Sequence, residues 1–360
     1  MAQQLTRGDV LGFRTRAQQL DRSSGTLADT AVLDLGVQDT GADAGRWAQA
    51  VRGQDDLDAS DLALVWTLRG APHLYRRADL PGVAAATAPF SDADAGKRIF
   101  DAATPLKAAG IPNLTALDTV AAAMREVGTA PTVKGEMSRQ LTARLDPPYL
   151  RFCRPCNAIH MHEQSFRLAA LRAGLELQPD TSPPVLQPVP GFVPAETAPE
   201  HLDVVRGYLR LHGPATPQQV AAYLDAPVRD VRARWPADAV EVSVDGERRW
   251  SLAADIDRLT AGPVRTTRLL GPFDPYLQTR DRSLLVPDAA RAKDLWRILG
   301  RPGGVLVDGE IAGTWRPRKA GKRLSVQVEL WRTVPAGALS AEAERLAAVR
   351  GTQLAGVDAG

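Results

Sequence analysis

The chain has 360 residues, of which 44% are hydrophobic and 24% charged, with a formal net charge of +2. That length exceeds one ordinary domain, and the composition is that of a folded protein, which excludes a mostly disordered chain, a collagen-like fibre and a disulfide scaffold. Near-neutral charge gives no general argument for a polyanionic partner, and Arg or Asp interrupts every apolar window before the roughly 18 residues a membrane span needs. Met1 to Arg16 carries charge early and has no apolar core, so it does not read as a secretory signal, and a cytoplasmic protein is expected.

Thr6 with Asp9 reads as a capping box opening a first helix whose apolar face begins at Val10, Leu11 and Phe13. A second helix is expected from Leu27 to Leu35, stopped by Gly36, and a third, holding Trp47 and Val51, after the polar turn from Gln38 to Gly41. Leu62 to Leu68 reads as a strand, and Arg69-Gly70-Ala71-Pro72 turns it into a second strand through Tyr75. Three helices followed by a hairpin make a winged-helix module.

The pattern returns as helices at Leu117 to Val127 and Lys134 to Leu145, followed by a strand-like run from Ala158 to Phe166. Its clearest copy has a helix from His201 to Leu211, a stop at Gly213-Pro214, and a second helix opened by Thr216-Pro217. A third helix runs from Val228 to Trp235, and Asp245-Gly246 joins two strands. Beyond residue 262 the texture becomes β, with runs at Val305 to Val307, Glu310 to Trp315 and Leu324 to Leu330, and the last twenty residues read as a helix with a frayed end. The expected fold class is therefore α+β: tandem winged helix-turn-helix modules at 1–90, 91–180 and 200–262, a Pro-rich linker at 181–199, a barrel-like β-rich part at 263–335, and a helix and tail at 336–360.

A winged helix places one helix in a groove and a hairpin beside it, although many such modules only contact proteins. Arginines cluster at Arg69, Arg76 and Arg77, at Arg229, Arg232 and Arg234, and at Arg316, Arg318, Lys319, Lys322 and Arg323, and any one cluster could equally be a solvated face. Cys153-x-x-Cys156 with His160 and His162 invites a zinc reading, but all four crowd into ten positions, whereas finger sites separate their pairs by about a dozen residues. No metal is expected, and two reduced thiols are. Gly303-Gly304 lacks the Lys-Ser/Thr of a phosphate loop, Ser138 and Ser283 lack a nucleophile elbow, and none of the five histidines stands in a His-Glu-x-x-His arrangement.

Several blocks, in order along nearly the whole chain, resemble the AlkZ-like winged-helix DNA glycosylases. They include Gly36-Val37-Gln38-Asp39-Thr40, Leu68-Arg69-Gly70-Ala71-Pro72-His73-Leu74, Lys134-Gly135-Glu136-Met137-Ser138-Arg139 and Cys153-Arg154-Pro155-Cys156. Gly213-Pro214-Ala215-Thr216-Pro217, Phe273-Asp274-Pro275-Tyr276-Leu277 and the run from Val307 to Trp315 complete the set. The resemblance implies tandem winged helices forming a C-shaped channel for double-stranded DNA, and excision of N7-alkylated guanines, bulky adducts and interstrand crosslinks among them. It implies a DNA-repair hydrolase without cofactor or metal, acting as a monomer away from membranes.

The family assigns catalysis to a Gln-x-Gln or Gln-x-Asp pair. Gln38 matches its first position, and Thr40 stands at the second, with Asp39 a lesser candidate. Candidate DNA contacts are Arg69, His73, Lys134, Ser138, Arg139, Gln278, Arg280 and Arg282. Read without the resemblance, Gln38-Asp39-Thr40 is a polar turn after a helix. A non-catalytic DNA-binding protein, regulatory or damage-sensing, and a protein-binding scaffold are the alternatives.

Overall fold

The computed structural model describes residues 2–41, 43–54 and 59–359. The chain divides into two compact units: Met1–Leu57, Val205–Val220 and Trp235–Gly360 form the first, and Asp58–Val204 with Ala221–Arg234 form the second.

In the first unit the capping box opens helix Arg7–Ala17 as its sequence predicts. Asp9 Oδ2 accepts from the Thr6 N–H at 2.8 Å and the Thr6 hydroxyl accepts from the Asp9 N–H at 3.2 Å, a pairing that stabilises a helix start by about 1 kcal/mol. The expected helix over 27–35 shrinks to a 3₁₀ turn, Ala31–Asp34. Thr26 and Asp29 bond reciprocally to each other's backbone N–H at 3.0 and 3.3 Å, and Arg22 holds Asp29, so the side chains close a local turn where a helix would otherwise wind. Gly36 then takes φ +88°, a left-handed turn that favours glycine, and Val37–Gln38 runs extended into the polar turn before helix Ala44–Ala50.

Strands Ala239–Val244 and Glu247–Leu252 form the expected hairpin, with Asp245 and Gly246 both at positive φ, and Gln3–Leu5 adds in parallel to its edge. The terminal β part is an open five-stranded sheet, a half-barrel, with strands in the order Thr267–Leu270, Gly303–Val307, Glu310–Ala320, Arg323–Leu330 and Gln353–Ala359. Its last strand replaces the frayed tail. Helix Ala336–Val349 buries Leu339, Ala343, Leu346 and Ala347 against the first unit's core, which brings the following residues alongside Arg323–Leu330 in parallel register. A Cβ on Gly303 would lie 2.3 Å from the Trp315 Nε1 and 2.4 Å from the Leu270 carbonyl, the pair joined by a 2.8 Å hydrogen bond, so only glycine fits this crossing. Trp47, Tyr276, Trp296 and Trp315 pack with Phe13 and Leu306 in one core.

The second unit is built on helix Asn113–Val127, which buries Ala116, Leu117, Val120, Ala121 and Met124 along one stripe. Phe166 and Ala169 of helix Glu163–Ala170 share that core, with Trp66 edge-on to Phe166 at 5.9 Å. The strand expected over 158–166 therefore stops at Met161, because Phe166, Ala169 and Ala170 bury with helical spacing. The hairpin Leu62–Trp66 with Pro72–Arg76 forms in the expected place, in register Leu62 to Arg76. The Pro-rich segment contributes a strand of its own, Val185–Pro188, which pairs with Leu175–Leu177 and Thr132–Val133. Among the described residues no helix is long and apolar enough to cross a membrane.

Candidate functional site

Gln38, Asp39 and Thr40 are each half-buried. The Gln38 side-chain amide donates to the Thr40 hydroxyl at 3.0 Å, which brings the two sequence-nominated groups together. Asp39 accepts from the Gly45 N–H at 2.8 Å, in the first turn of helix Ala44–Ala50. A carboxylate there satisfies an otherwise orphaned donor and meets the positive end of the helix, so Asp39 fixes the turn that carries its neighbours.

The other end of the same short helix is also fixed. Arg52, fully buried, forms a two-pronged pair with Asp274, both contacts at 2.8 Å, and donates to the Gln18 carbonyl at 2.9 Å. Asp274 also accepts from the Tyr276 N–H at 2.9 Å, opening the 3₁₀ turn Pro275–Gln278. Seven residues on, Asp281 is held by Arg14 at 3.0 and 2.8 Å and by Arg249 at 2.6 Å. Burial alone would raise the Asp281 carboxyl, but Arg14 outweighs it and holds it below the ordinary carboxylate range. The segment 274–281 is thus a strap pinned at each end by a buried Arg–Asp pair, and Gln278 and Arg280 lie between the pins.

Gln278 is 9% exposed, and its amide nitrogen has no hydrogen-bond partner among the described residues. A buried donor without a partner costs about 1–3 kcal/mol, so this side chain is primed to donate to an incoming acceptor. The backbone N–H of Arg280 donates to the Tyr208 hydroxyl at 3.1 Å. Arg282 lies over the Trp296 ring at 5.0 Å, and Arg301 over Phe273 at 4.8 Å. Burial, then the charge of Arg301, pulls the Arg282 pKa down, and burial, then Arg280, does the same to Arg301. Neither Arg282 nor Arg301 makes an ion pair among the described residues. The Arg301 guanidinium is thus repelled by Arg280 and itself repels Arg282, a positive charge density that an anion would relieve.

The nominated residues of the second unit stand in different surroundings. Arg69, in left-handed conformation at φ +59°, donates to the Tyr223 carbonyl at 2.7 Å and lies 4.8 Å over its ring. His73 is 1% exposed and its Nδ1–H donates to the Ala71 carbonyl at 2.9 Å. Burial and then Arg69 depress its pKa to about 3, so it is neutral and offers no charge to a phosphate. Lys134 is clasped by both Glu163 oxygens at 2.7 and 2.9 Å, and Arg139, exposed, pairs with Glu136 at 2.6 Å. Ser138, half-buried, lies one turn into helix Lys134–Thr142, which Lys134 opens.

Sequence reasoning missed Arg14, Arg52, Asp281 and Arg301. Nothing local marks them: three are buried by partners that lie more than 200 residues away in the chain, or by a strap whose ends only the fold pins. The sequence's argument against metal rested on crowding, and the structure corrects its premise. Cys153, Cys156 and His160 gather with their ligand atoms within 4.8 Å of one another, while the buried His162 lies outside the group. The hairpin turn makes ten positions ample for three ligands.

The model of the AlkZ-like DNA glycosylase family matches residues 35–349. Among solved structures, DNA glycosylase AlkZ of Streptomyces sahachiroi superposes with a TM-score of 0.74 at 20% sequence identity, covering 99% of this chain and 100% of that one. No curated protein matches the sequence significantly. The chain belongs to the AlkZ-like DNA glycosylase family, which assigns it a DNA glycosylase-type function, a hydrolytic role in DNA repair and DNA as its partner.

Proposed function

We propose that this member of the AlkZ-like family binds double-stranded DNA as a monomer and hydrolyses the N-glycosidic bond of N7-alkylated guanine, bulky and crosslinked adducts included, with Gln38 and Thr40 as its catalytic pair. The observation that carries the reading is the 3.0 Å hydrogen bond between Gln38 and Thr40 in a half-exposed turn. The Thr40 oxygen accepts the Gln38 amide with one lone pair and keeps a second. That lone pair and the Gln38 carbonyl oxygen can accept the two hydrogens of one water molecule, which leaves the water's own lone pair for the anomeric carbon.

The chemistry suits a pair that carries no charge. An N7-alkylguanine is cationic, so when the C1′–N9 bond breaks the base takes the bonding electrons and leaves neutral, without a general acid. The oxygen–C1′ bond forms as the sugar passes through an oxocarbenium-like state, and the water's proton passes by its acceptors to solvent. Asp39 is engaged at the helix start and serves the turn; Gln278 reads an acceptor in a groove, and Arg280, Arg282 and Arg301 take phosphates. In chain order the helices Val204–His212, Pro217–Leu224 and Val228–Ala233, then the Asp245-Gly246 hairpin, follow the succession of a winged helix-turn-helix.

Thr40, in place of the family's amide or carboxylate, favours a second reading, a DNA-binding relative without glycosylase chemistry. The deciding experiment incubates the protein with duplexes carrying one N7-methylguanine or one nitrogen-mustard crosslink. Alkali-labile sites above spontaneous depurination, lost in Gln38→Ala and faster in Thr40→Asp, support the glycosylase. Salt-sensitive binding with no excision by either the wild type or Thr40→Asp overturns it in favour of the second reading.

A further inference from the structure

Strands Leu150–Cys153 and Ala158–Met161 form a two-stranded hairpin that pairs with no other strand among the described residues. Its tip, 154–159, is exposed, as is the facing pair Phe152 and Ile159, each by 59%, while Met161 at its base is buried. Met161 and Leu150 anchor its base in the second unit's core, whereas a two-stranded ladder alone is marginally stable in water, so the exposed tip gains from a constraint of its own. At that tip the turn Arg154–Asn157 closes with the Asn157 N–H on the Arg154 carbonyl at 3.2 Å, and Asn157 takes φ +47°. This fold-back aims both cysteine side chains at one point. Arg151 pairs with His160 and Cys153 with Ala158, so the imidazole rises beside the thiols from the facing strand.

His160 Nδ1 lies 2.9 Å from the Met161 carbonyl, which can only accept, so in the neutral ring Nδ1 carries the hydrogen and Nε2 the lone pair. An outer hydrogen bond of this kind orients histidines that ligate metals and raises their basicity. Two thiols and an imidazole with ligand atoms within 4.8 Å of one another are the donor set of a borderline divalent cation. Metal–sulfur and metal–nitrogen bonds of about 2.3 and 2.0 Å set ligand separations of roughly 3.5–3.8 Å, which exposed side chains reach by closing about 1 Å.

We propose that Cys153, Cys156 and His160 form a zinc site that clamps the tip of this hairpin, with water in the fourth position. The ion takes no part in the proposed excision; it holds the exposed strands in register. Both thiols lose their protons to solvent on binding, so one Zn²⁺ enters as two H⁺ leave.

The test uses the full-length protein, reduced and desalted under argon, titrated with Co²⁺ and then Zn²⁺. One equivalent of Co²⁺ is expected to give the thiolate charge-transfer band and the d–d bands of a tetrahedral site, and Zn²⁺ to bleach them stoichiometrically. Cys153→Ser and His160→Gln should lose the tetrahedral spectrum, His160→Cys should keep it with a stronger charge-transfer band, and Phe152→Ala should leave it unchanged. Every substituted position is half-buried or exposed, so circular dichroism of the variants should match the wild type. Amide exchange across 150–161 should slow with Zn²⁺ in the wild type only. No charge-transfer band in the reduced protein overturns the site, as does a band that survives in Cys153→Ser or His160→Gln. Spontaneous Cys153–Cys156 disulfide formation in the presence of Zn²⁺ overturns it too.

Discussion

In the first unit Arg282 and Arg301 lie over aromatic rings, have their pKa values lowered by burial and then by Arg301 and Arg280 respectively, and make no ion pair among the described residues. In the second unit the nominated cations are already engaged: Lys134 by Glu163, Arg139 by Glu136, and Arg69 by the Tyr223 carbonyl and ring. The sequence nominated cations in both units, because counting arginines ignores who answers them. A guanidinium without an acid releases its repulsion onto a phosphate, whereas one in an ion pair must first break that pair. The first unit also spends its buried ion pairs differently. Arg52–Asp274 and Arg14–Asp281 pin the strap that carries Gln278, while the buried Arg98–Asp94 pair of the second unit, 2.7 Å long, sits within one helix and its cap.

Breaking the pins gives the largest expected effect. Arg52→Met leaves Asp274 buried without its partner and should lower unfolding free energy by about 3–5 kcal/mol in urea denaturation. Arg52→Met with Asp274→Leu should recover much of that stability, yet still lose excision, since the strap and the helix behind Asp39 are no longer joined. Arg98→Met should cost comparable stability while the folded protein keeps its excision rate; equal loss of excision in both would dissolve the contrast between the units.

Gln38→Ala comes next. Single-turnover excision of N7-methylguanine should fall on the order of 10²-fold, the scale of losing one positioned polar group, with duplex affinity unchanged. Equal losses in affinity and rate would make Gln38 a support of the fold.

His73 in the second unit and His212 in the first are buried, and burial is the leading cause that takes both pKa values to about 3. The folded values lie below the unfolded one near 6.5, so the unfolded chain takes up protons first as pH falls. Stability is intact above about pH 6.5 and declines between there and about pH 3, by about 1.4 kcal/mol per pH unit for each histidine. Chemical denaturation across that window should show a shallower slope in His73→Gln.

The smallest effects separate the cations. Arg282→Ala and Arg301→Ala should each flatten the dependence of log affinity on log salt by about 0.9. Arg139→Ala should change it far less, and a full-sized change there would show that the Glu136 pair opens on DNA.

Local signals were legible wherever a few neighbouring residues decide the outcome. Thr6 with Asp9 starts a helix, Asp245-Gly246 turns a hairpin at two positive φ values, and Gln38 with Thr40 stand two apart in one turn, so all of these could be read directly. The short-range misreadings have the same root: Thr26 and Asp29 traded a helix for a turn, and helical spacing at Phe166, Ala169 and Ala170 outweighed a strand-like composition.

The sequence by itself determined the α+β class and the polar turn at Gln38, because each rests on periodicity or on bonds spanning a few residues, and its resemblance to a family supplied the order of motifs. Only the tertiary structure decided that His73 is buried and neutral, that Arg14 and Arg52 are anchors, that Arg282 and Arg301 meet no acid among the described residues, and that two cysteines and a histidine converge. Burial and charge pairing depend on what distant segments bring to the same place, and a chain read in order carries no measure of that distance.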